Sequence, residues 1–392
     1  MKESNGARVA GYWILLIVLV VVLSYGSTRI WSEKKEKAPV TKSLVMEEDM
    51  TVQQFGQKND LPNPALKKVF DLATQAELQK KVGEFGLSQK ELASRIEKAT
   101  ALSAEYESKN WLKIPIKFAS WIVFLFLGFR LMRKARITSK IRKELYLGAI
   151  AIFGVALGSD PSPMGTVKDA IALLGAKGVI FPPRMIALSV FLILVLLANK
   201  FVCSWGCQLG TLQDLIFRLG RDPEDRKGRI GQGKIPFVWT NGIRIAFFGL
   251  FALAAFLWAK DIIEPIDPFR IYKPTVLGIA GGTFLVGLLL ASLFVYRPWC
   301  HLFCPFGLVG WLVEKISIFK IQVNYETCIA CEACARACPS TVMNGILKQE
   351  TVIPDCFACG TCLKVCPTQS IHFLSGKRSR PPADKFRKKE KK

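Results

Sequence analysis

Apolar residues in this chain gather in blocks rather than alternating with polar ones. The first block covers residues 9–24 (VAGYWILLIVLVVVLS), and others cover 114–129, 145–157, 185–202, 243–259 and 276–296. Blocks of this kind suit helices that cross a bilayer, one crossing per block, although the third is short. The pattern predicts about six transmembrane helices. The first block is long for a signal peptide and no clear small-x-small site follows it, so it reads as an uncleaved anchor.

Between the first two blocks the chain turns polar. Within residues 28–113, Leu66, Val69, Phe70, Leu72 and Leu78 recur at roughly helical spacing. So do Val82, Phe85 and Leu87, then Leu92, Ile96 and Leu102. Asn59 to Pro64 supplies a turn before one such helix. This predicts a small helical domain without visible chemistry, a spacer or docking unit. Later, a Gly/Asp/Pro/Ser turn over 158–163 precedes an amphipathic stretch, 167–180, expected along the membrane surface.

Charge orients these segments. The formal net charge is +23, with 51% hydrophobic residues and a mean hydropathy of +0.27. The basic residues cluster in the loops 130–143 and 220–234 and in the tail, while Asp160, Asp261, Glu264 and Asp267 mark the alternate loops. That asymmetry follows the positive-inside rule better than it fits nucleic-acid binding. It predicts a cytoplasmic N-terminus, an extracytoplasmic 28–113 and a cytoplasmic segment after residue 296. The basic run at 34–37 argues the other way and is outvoted by the two larger loops. The tail is expected to touch lipid headgroups.

The 12 cysteines fall in four short motifs. Cys328, Cys331, Cys334 and Cys338 followed by Pro339 read C-x2-C-x2-C-x3-C-P, and Cys356, Cys359, Cys362 and Cys366 followed by Pro367 repeat it. Three cysteines at this spacing wrap one corner of a 4Fe–4S cubane, and the fourth serves the other cluster. Cys328, Cys331, Cys334 and Cys366 are therefore expected to hold one cluster, and Cys356, Cys359, Cys362 and Cys338 the second. Residues 322–325, 352–354 and 371–373 look like short flanking strands. Zinc ribbons use paired C-x2-C, not this triple run.

The other four cysteines form two C-x3-C pairs where apolar blocks end: Cys203 with Cys207, and Cys300 with Cys304. Aligned on these pairs, Gly210 matches Gly307, Leu215 matches Leu312, and Lys200 matches Arg297. An Asp-Pro loop precedes each pair, Asp160-Pro161 and Asp267-Pro268. This is a tandem repeat: apolar hairpin, C-x3-C, short amphipathic helix. If the helix continues, each pair shares a face at i and i+4. The four thiols are candidates for a third metal or cluster site, for redox-active disulfides, or for buried neutral thiols.

With these motifs in place, the chain resembles the polytopic membrane iron–sulfur proteins of the NapH, NosR and MauN type, with CcoG as a further relative. The resemblance covers about residues 145–373 and rests on Cys203/Cys207, Cys300/Cys304-Pro305 and the eight C-terminal cysteines. One departure is Gln208, where the family motif has Pro. The resemblance implies electron transfer between the quinone pool or a cytoplasmic donor and a partner redox enzyme. The Ser/Thr-Gly-Ala-Thr pattern of flavin attachment is not found in the polar domain, so covalent FMN is not supported.

Only two histidines occur, His301 within the second pair and His372 near the end of the C-terminal module. A bis-histidine haem is excluded on that count, and no haem is expected. His301 is either a packed interfacial residue or one that protonates in quinol chemistry or ligates metal. Arg244, near one end of the fifth block, either snorkels to headgroups or makes a charged contact near a quinone or cofactor. No nucleotide-binding fingerprint is present.

The sequence thus predicts a mainly α, polytopic helical membrane protein ending in an α+β ferredoxin-like domain. Its expected parts are an anchor (1–27), the polar helical domain (28–113) and a helix with basic loop (114–143). The tandem repeat core (144–318), a 2×4Fe–4S domain (319–375) and a basic tail (376–392) follow. The expected role is an electron-transfer subunit with lipid, a redox partner protein and quinone as partners, and no nucleic acid. The alternatives are a maturation factor delivering electrons for metal or disulfide reduction, and a redox sensor reading through 28–113.

Overall fold

The computed structural model describes residues 3–31, 45, 49–61, 63–383 and 385–386. The basic run 34–37, Pro62 of the predicted turn and the tail from 387 onward lie outside them. Helix α1 (Glu3–Ile30) carries the first apolar block. The polar domain follows with α2 (Val52–Lys58), α3 (Asn63–Val69), two 3-10 turns and α4 (Gln89–Ser108). Thr51 and Gln54 form a reciprocal capping box that starts α2, and Ser88 caps α4. Val52, Phe55, Leu66, Val69, Leu92 and Ile96 close a core separate from that of the rest of the chain. The helical spacing of apolar residues found in the sequence is this core.

The main body contains α5 (Lys113–Arg133) and α6 (Ser139–Ala149), the latter running into a π-helical segment at Ile150–Ala156. Then come α7 (Pro163–Lys177), α8 (Pro182–Ala198), α9 (Phe201–Trp205) and α10 (Gln208–Leu219). The second repeat supplies α11 (Phe237–Trp258), α12 (Ile279–Phe294), α13 (Pro298–Leu302) and α14 (Pro305–Glu314). Among the described residues, α1, α5 and α11 are long and apolar enough to cross a membrane. Helices α8 and α12 have 17 and 16 residues, about 24–26 Å at 1.5 Å per residue, a little short of a full hydrocarbon core.

Helix α7 carries most of the amphipathic stretch expected along the membrane surface. It packs against α8, α11 and α14. A Cβ on Gly175 would sit 2.6 Å from the Ala255 carbonyl, so the two helices meet backbone to backbone. Its polar face is also used internally. Lys168 is buried, with its Nζ 3.2 Å from Asp169, 3.3 Å from Asp261, 2.5 Å from Glu264 and 3.3 Å from Asp267.

The C-terminal domain has β1 (Phe319–Val323), α15 (Ala333–Ala337), α16 (Val342–Lys348), α17 (Thr361–Val365) and β2 (Ile371–Ser375). The strands pair antiparallel, Phe319 opposite Ser375 and Val323 opposite Ile371. Ile321, Val323, Ile371 and Phe373 point inward, as period-2 alternation requires. Residues 352–354, expected as a strand, are not one. Trp311 donates its indole N–H to the Ile353 carbonyl at 3.3 Å, and Pro354 has no N–H to give.

Helix α5 spans about 31 Å at 1.5 Å per residue and separates the two polar domains. Its first residues follow α4, and at its far end Phe129 packs edge-on to Phe319 and Phe373.

Candidate metal centres

The two C-terminal cysteine loops fold alike. Ala330 and Glu332 in the first, and Ala358 and Gly360 in the second, all take positive φ. This alternation turns successive backbone N–H groups toward one concave side, an anion-binding arrangement. At Gly360 a side chain would also meet Met132, whose sulfur lies 2.9 Å from the Cβ position. Cys334 and Cys362 sit in α15 and α17, and Cys338 and Cys366 immediately follow those helices. Helices α15 and α17 pack together, so each fourth cysteine is carried toward the opposite loop.

Two cavities result. One is lined by Cys338, Cys356, Cys359 and Cys362. The other is lined by Cys328, Cys331, Cys334 and Cys366. These are the two crossed sets read from the spacing. Among the described residues, no three His, Cys, Asp or Glu side chains are close enough to hold a single metal ion. The cysteines instead line two separate cavities, four to each, the donor set a 4Fe–4S cluster takes.

The membrane cysteines are arranged by the repeat, but not on one continuous helix. Each helix breaks between its cysteines. Cys203 is in the one-turn α9, and Cys207 is the extended N-cap residue of α10. Cys300 is in α13, and Cys304 is the N-cap residue of α14. Cys207 N–H bonds the Val202 carbonyl at 2.8 Å and Cys304 N–H the Trp299 carbonyl at 3.0 Å, the same turn twice. The Cys304 Sγ accepts from Gly307 N–H at 3.4 Å. Thus the second thiol of each pair sits at a helix N-terminus, where negative charge is favoured. The Pro-to-Gln change at Gln208 leaves the start of α10 in register, and Gln208 donates to the Ser159 carbonyl at 2.8 Å.

The matched glycines have a steric reason. A Cβ at Gly210 would lie 2.4 Å from the Cys203 carbonyl oxygen, and one at Gly307 would lie 2.7 Å from that of Cys300. The matched cations reach across the pseudo-symmetry. Lys200 Nζ donates to the Gly307 carbonyl at 2.6 Å, and Arg297 donates to the Cys203 carbonyl at 2.8 Å. All four thiols are buried and lie within one another's electrostatic reach.

Beneath the C-terminal domain lie two buried charge networks, of which the sequence reading singled out only Lys200, Arg297, Arg244 and His301. In one, Asp214 binds Arg218 and Arg297 at 2.7 and 2.6 Å and accepts from Tyr146 and Tyr296 at 2.9 Å each. Asp225 joins Arg142 at 2.5 Å and also binds Arg218 and Arg221. In the other, Asp355 binds Lys200 at 2.5 Å and Arg244 at 2.9 Å. Arg244 is therefore tied into the protein and does not snorkel to headgroups. His301 is buried beside Phe357, its Nδ1 3.8 Å from Asp355, and burial pushes its pKa down to about 3. Glu314 accepts the Cys356 N–H at 3.1 Å. The clue in the sequence was the position of Asp355 beside Cys356 and of Arg142 at the end of a basic loop. A charge run more often marks a solvated face, so neither stood out.

The networks act on the cysteines. Burial pushes the Cys356 and Cys362 thiols up. Burial also raises Cys359, but Arg218 and Arg142 outweigh it and hold that thiol below its ordinary value.

Comparison with known proteins agrees with this geometry. The 4Fe–4S dicluster domain family matches residues 327–371, and a 4Fe–4S binding domain family matches twice, at 180–227 and 277–324. The second family thus falls on both membrane repeats. The protein YccM of Escherichia coli is 32% identical over 168 residues, which cover 40% of this chain and 46% of YccM. The methylamine utilization ferredoxin-type protein MauN of Methylobacillus flagellatus is 24% identical over 51% of this chain and 65% of its own length. The ferredoxin-type protein NapH of Haemophilus influenzae is 24% identical over 57% and 78%. No solved structure matches. In its cysteine motifs, its family matches and these relatives, the chain is similar to the NapH- and MauN-type 4Fe–4S ferredoxin proteins.

Proposed function

We propose that this protein carries single electrons between the quinone pool or a cytoplasmic donor and a partner redox enzyme. Cys328, Cys331, Cys334 and Cys366 hold an outer 4Fe–4S cluster, and Cys338, Cys356, Cys359 and Cys362 an inner one. The observation that carries this reading is the pair of cavities, each lined by one crossed set of four cysteines. Such clusters, when bound, supply one-electron redox chemistry without proton or group transfer. The chain's own residues fix the distance between the sites, keep water from the inner one and dock both on the membrane helices. Trp205 does the last directly, donating to the Ala358 carbonyl at 3.1 Å.

Cys203, Cys207, Cys300 and Cys304 form a third redox site, within the repeat core. Convergence of four buried thiols, two of them at helix N-termini, supports this. Six apolar segments, α1, α5, α6 with its π turn, α8, α11 and α12, cross the bilayer. The N-terminus and residues 319–375 face the cytoplasm, and residues 28–113 lie on the other side.

Anaerobic purification with iron quantitation and EPR tests the assignment. Cys359→Ser is expected to remove one cluster's signal and its iron, and unchanged iron content would sink the ligand set. Cys300→Ser with Cys304→Ser is expected to remove a further metal complement while both ferredoxin signals stay. If no metal is lost, the four thiols work as dithiols or serve structure, and the maturation reading gains.

A further inference from the structure

The proposed ligand sets leave the two ferredoxin sites in very different electrostatic surroundings. Around the inner set, cations press on the cysteine loop from the membrane side. Arg142 and Arg218 are each 1% exposed. Arg142 Nε donates to the Cys359 carbonyl at 2.9 Å. Arg218 donates to Thr361 Oγ1 at 3.2 Å, and that hydroxyl lies 3.5 Å from the Cys359 sulfur. Arg221 donates to the Ala337 carbonyl, next to Cys338, at 2.8 Å. Arg142, Arg218, Arg221 and Arg297 share two buried carboxylates, Asp214 and Asp225. Four cations against two anions leave two positive charges in this buried network, while on the Cys356 side Lys200 and Arg244 are matched by Asp355 and Glu314. Arg218 Nη2 has no hydrogen-bond partner among the described residues.

The outer set differs in exposure. Cys331 is exposed, the one charged residue lining that cavity is acidic, Glu332, and a cation at its loop, Lys234, which donates to the Ala335 carbonyl beside Cys334 at 2.7 Å, is itself exposed to solvent. A 4Fe–4S cluster on four thiolates is anionic and gains a further negative charge on reduction. Its potential follows net charge, hydrogen bonds to sulfur and exposure. Burial alone would disfavour the reduced form at the inner site. Fixed buried cations act in the other direction, and salt screens them much less than it screens surface charges.

Resting on the ligand assignment above, we propose that Arg142 and Arg218 are positioning residues that raise the reduction potential of the inner site above that of the outer one. Within the pair, the solvent-facing site is then the donor and the membrane-facing site the acceptor. Electrons arriving at the Cys331 edge run inward, toward the four membrane thiols.

Redox titration of the intact protein, followed by EPR, tests this. In the wild type the inner signal, identified by its loss in Cys359→Ser, is expected to reduce at the higher potential. The reverse order overturns the proposal without any arginine variant. Arg142→Gln and Arg218→Gln are each expected to shift the inner site's reduction equilibrium about tenfold toward the oxidised form. That is about 59 mV downward for one electron, with the outer site unmoved. Arg142→Lys and Arg218→Lys, which keep the charge, are expected to recover most of the shift. An inner potential that ignores the Gln variants, or an equal shift at both sites, overturns the proposal. Should Cys359→Ser leave iron unchanged, the ligand assignment fails instead, and the two failures are distinct.

Discussion

Asp355 is a single carboxylate with two buried cations, Lys200 and Arg244, and it immediately precedes the ligand loop at Cys356. Removing its charge would strand both partners in a region with no water to take its place. Asp355→Asn is expected to destabilise the protein by about 3–5 kcal/mol, the usual result of breaking a buried pair from one side. Thermal unfolding in detergent would record it, and a loss below about 1 kcal/mol would show the cations finding other partners. Residues of this kind were the hardest to read from sequence. The cysteines announce themselves by spacing. The match of Gly210 with Gly307 and of Lys200 with Arg297 was also legible, because repetition exposes it. What each one touches was not, since the carbonyls of Cys203, Cys300 and Gly307 belong to another turn or the other repeat. The same holds for Arg244: an arginine near the end of an apolar block looks alike whether it meets a headgroup or Asp355.

At the scale of elements, each of the six apolar blocks became a helix, because a long apolar run leaves the backbone little alternative in lipid. Local pattern says less where tertiary setting decides. Helix α7 is amphipathic yet packed on several sides, because Lys168 gathers the acidic residues of neighbouring loops around its polar face. Each C-x3-C segment was legible as a helix, but the break between its cysteines was not. The polar domain followed its pattern closely, and its core shares no residue with the main one. Leu66 is fully buried there, against Gly56. Leu66→Ala is expected to cost about 2–5 kcal/mol, confined to that domain. Limited proteolysis should cut earlier within 49–108, while iron content stays at the wild-type value. Parallel loss of iron would show the two cores to be coupled.

For the whole molecule, the net charge of +23 has a second meaning beyond orientation. Part of the basic loops 130–143 and 220–234 is buried, as Arg142 and Arg221, beneath the C-terminal domain. The pseudo-symmetry is likewise more than a duplicated outline, since Lys200 and Arg297 each cross to the other repeat. Lys200→Met and Arg297→Met are each expected to lower the unfolding temperature. The double variant should fall short of the sum, because either loss alone already loosens the same interface. Strict additivity within about 0.5 kcal/mol would mean that the two crossings are independent.

That exchange of cations also sets an order of construction. While the chain is being made, Cys203 and Cys207 emerge about a hundred residues before Arg297, Cys300 and Cys304. Until the later half is inserted, the Cys203 carbonyl lacks the guanidinium that binds it, and only half of the thiol quartet exists. The nascent first half therefore holds two of the four thiols, and the quartet is complete only once the second repeat has been made and has packed against the first.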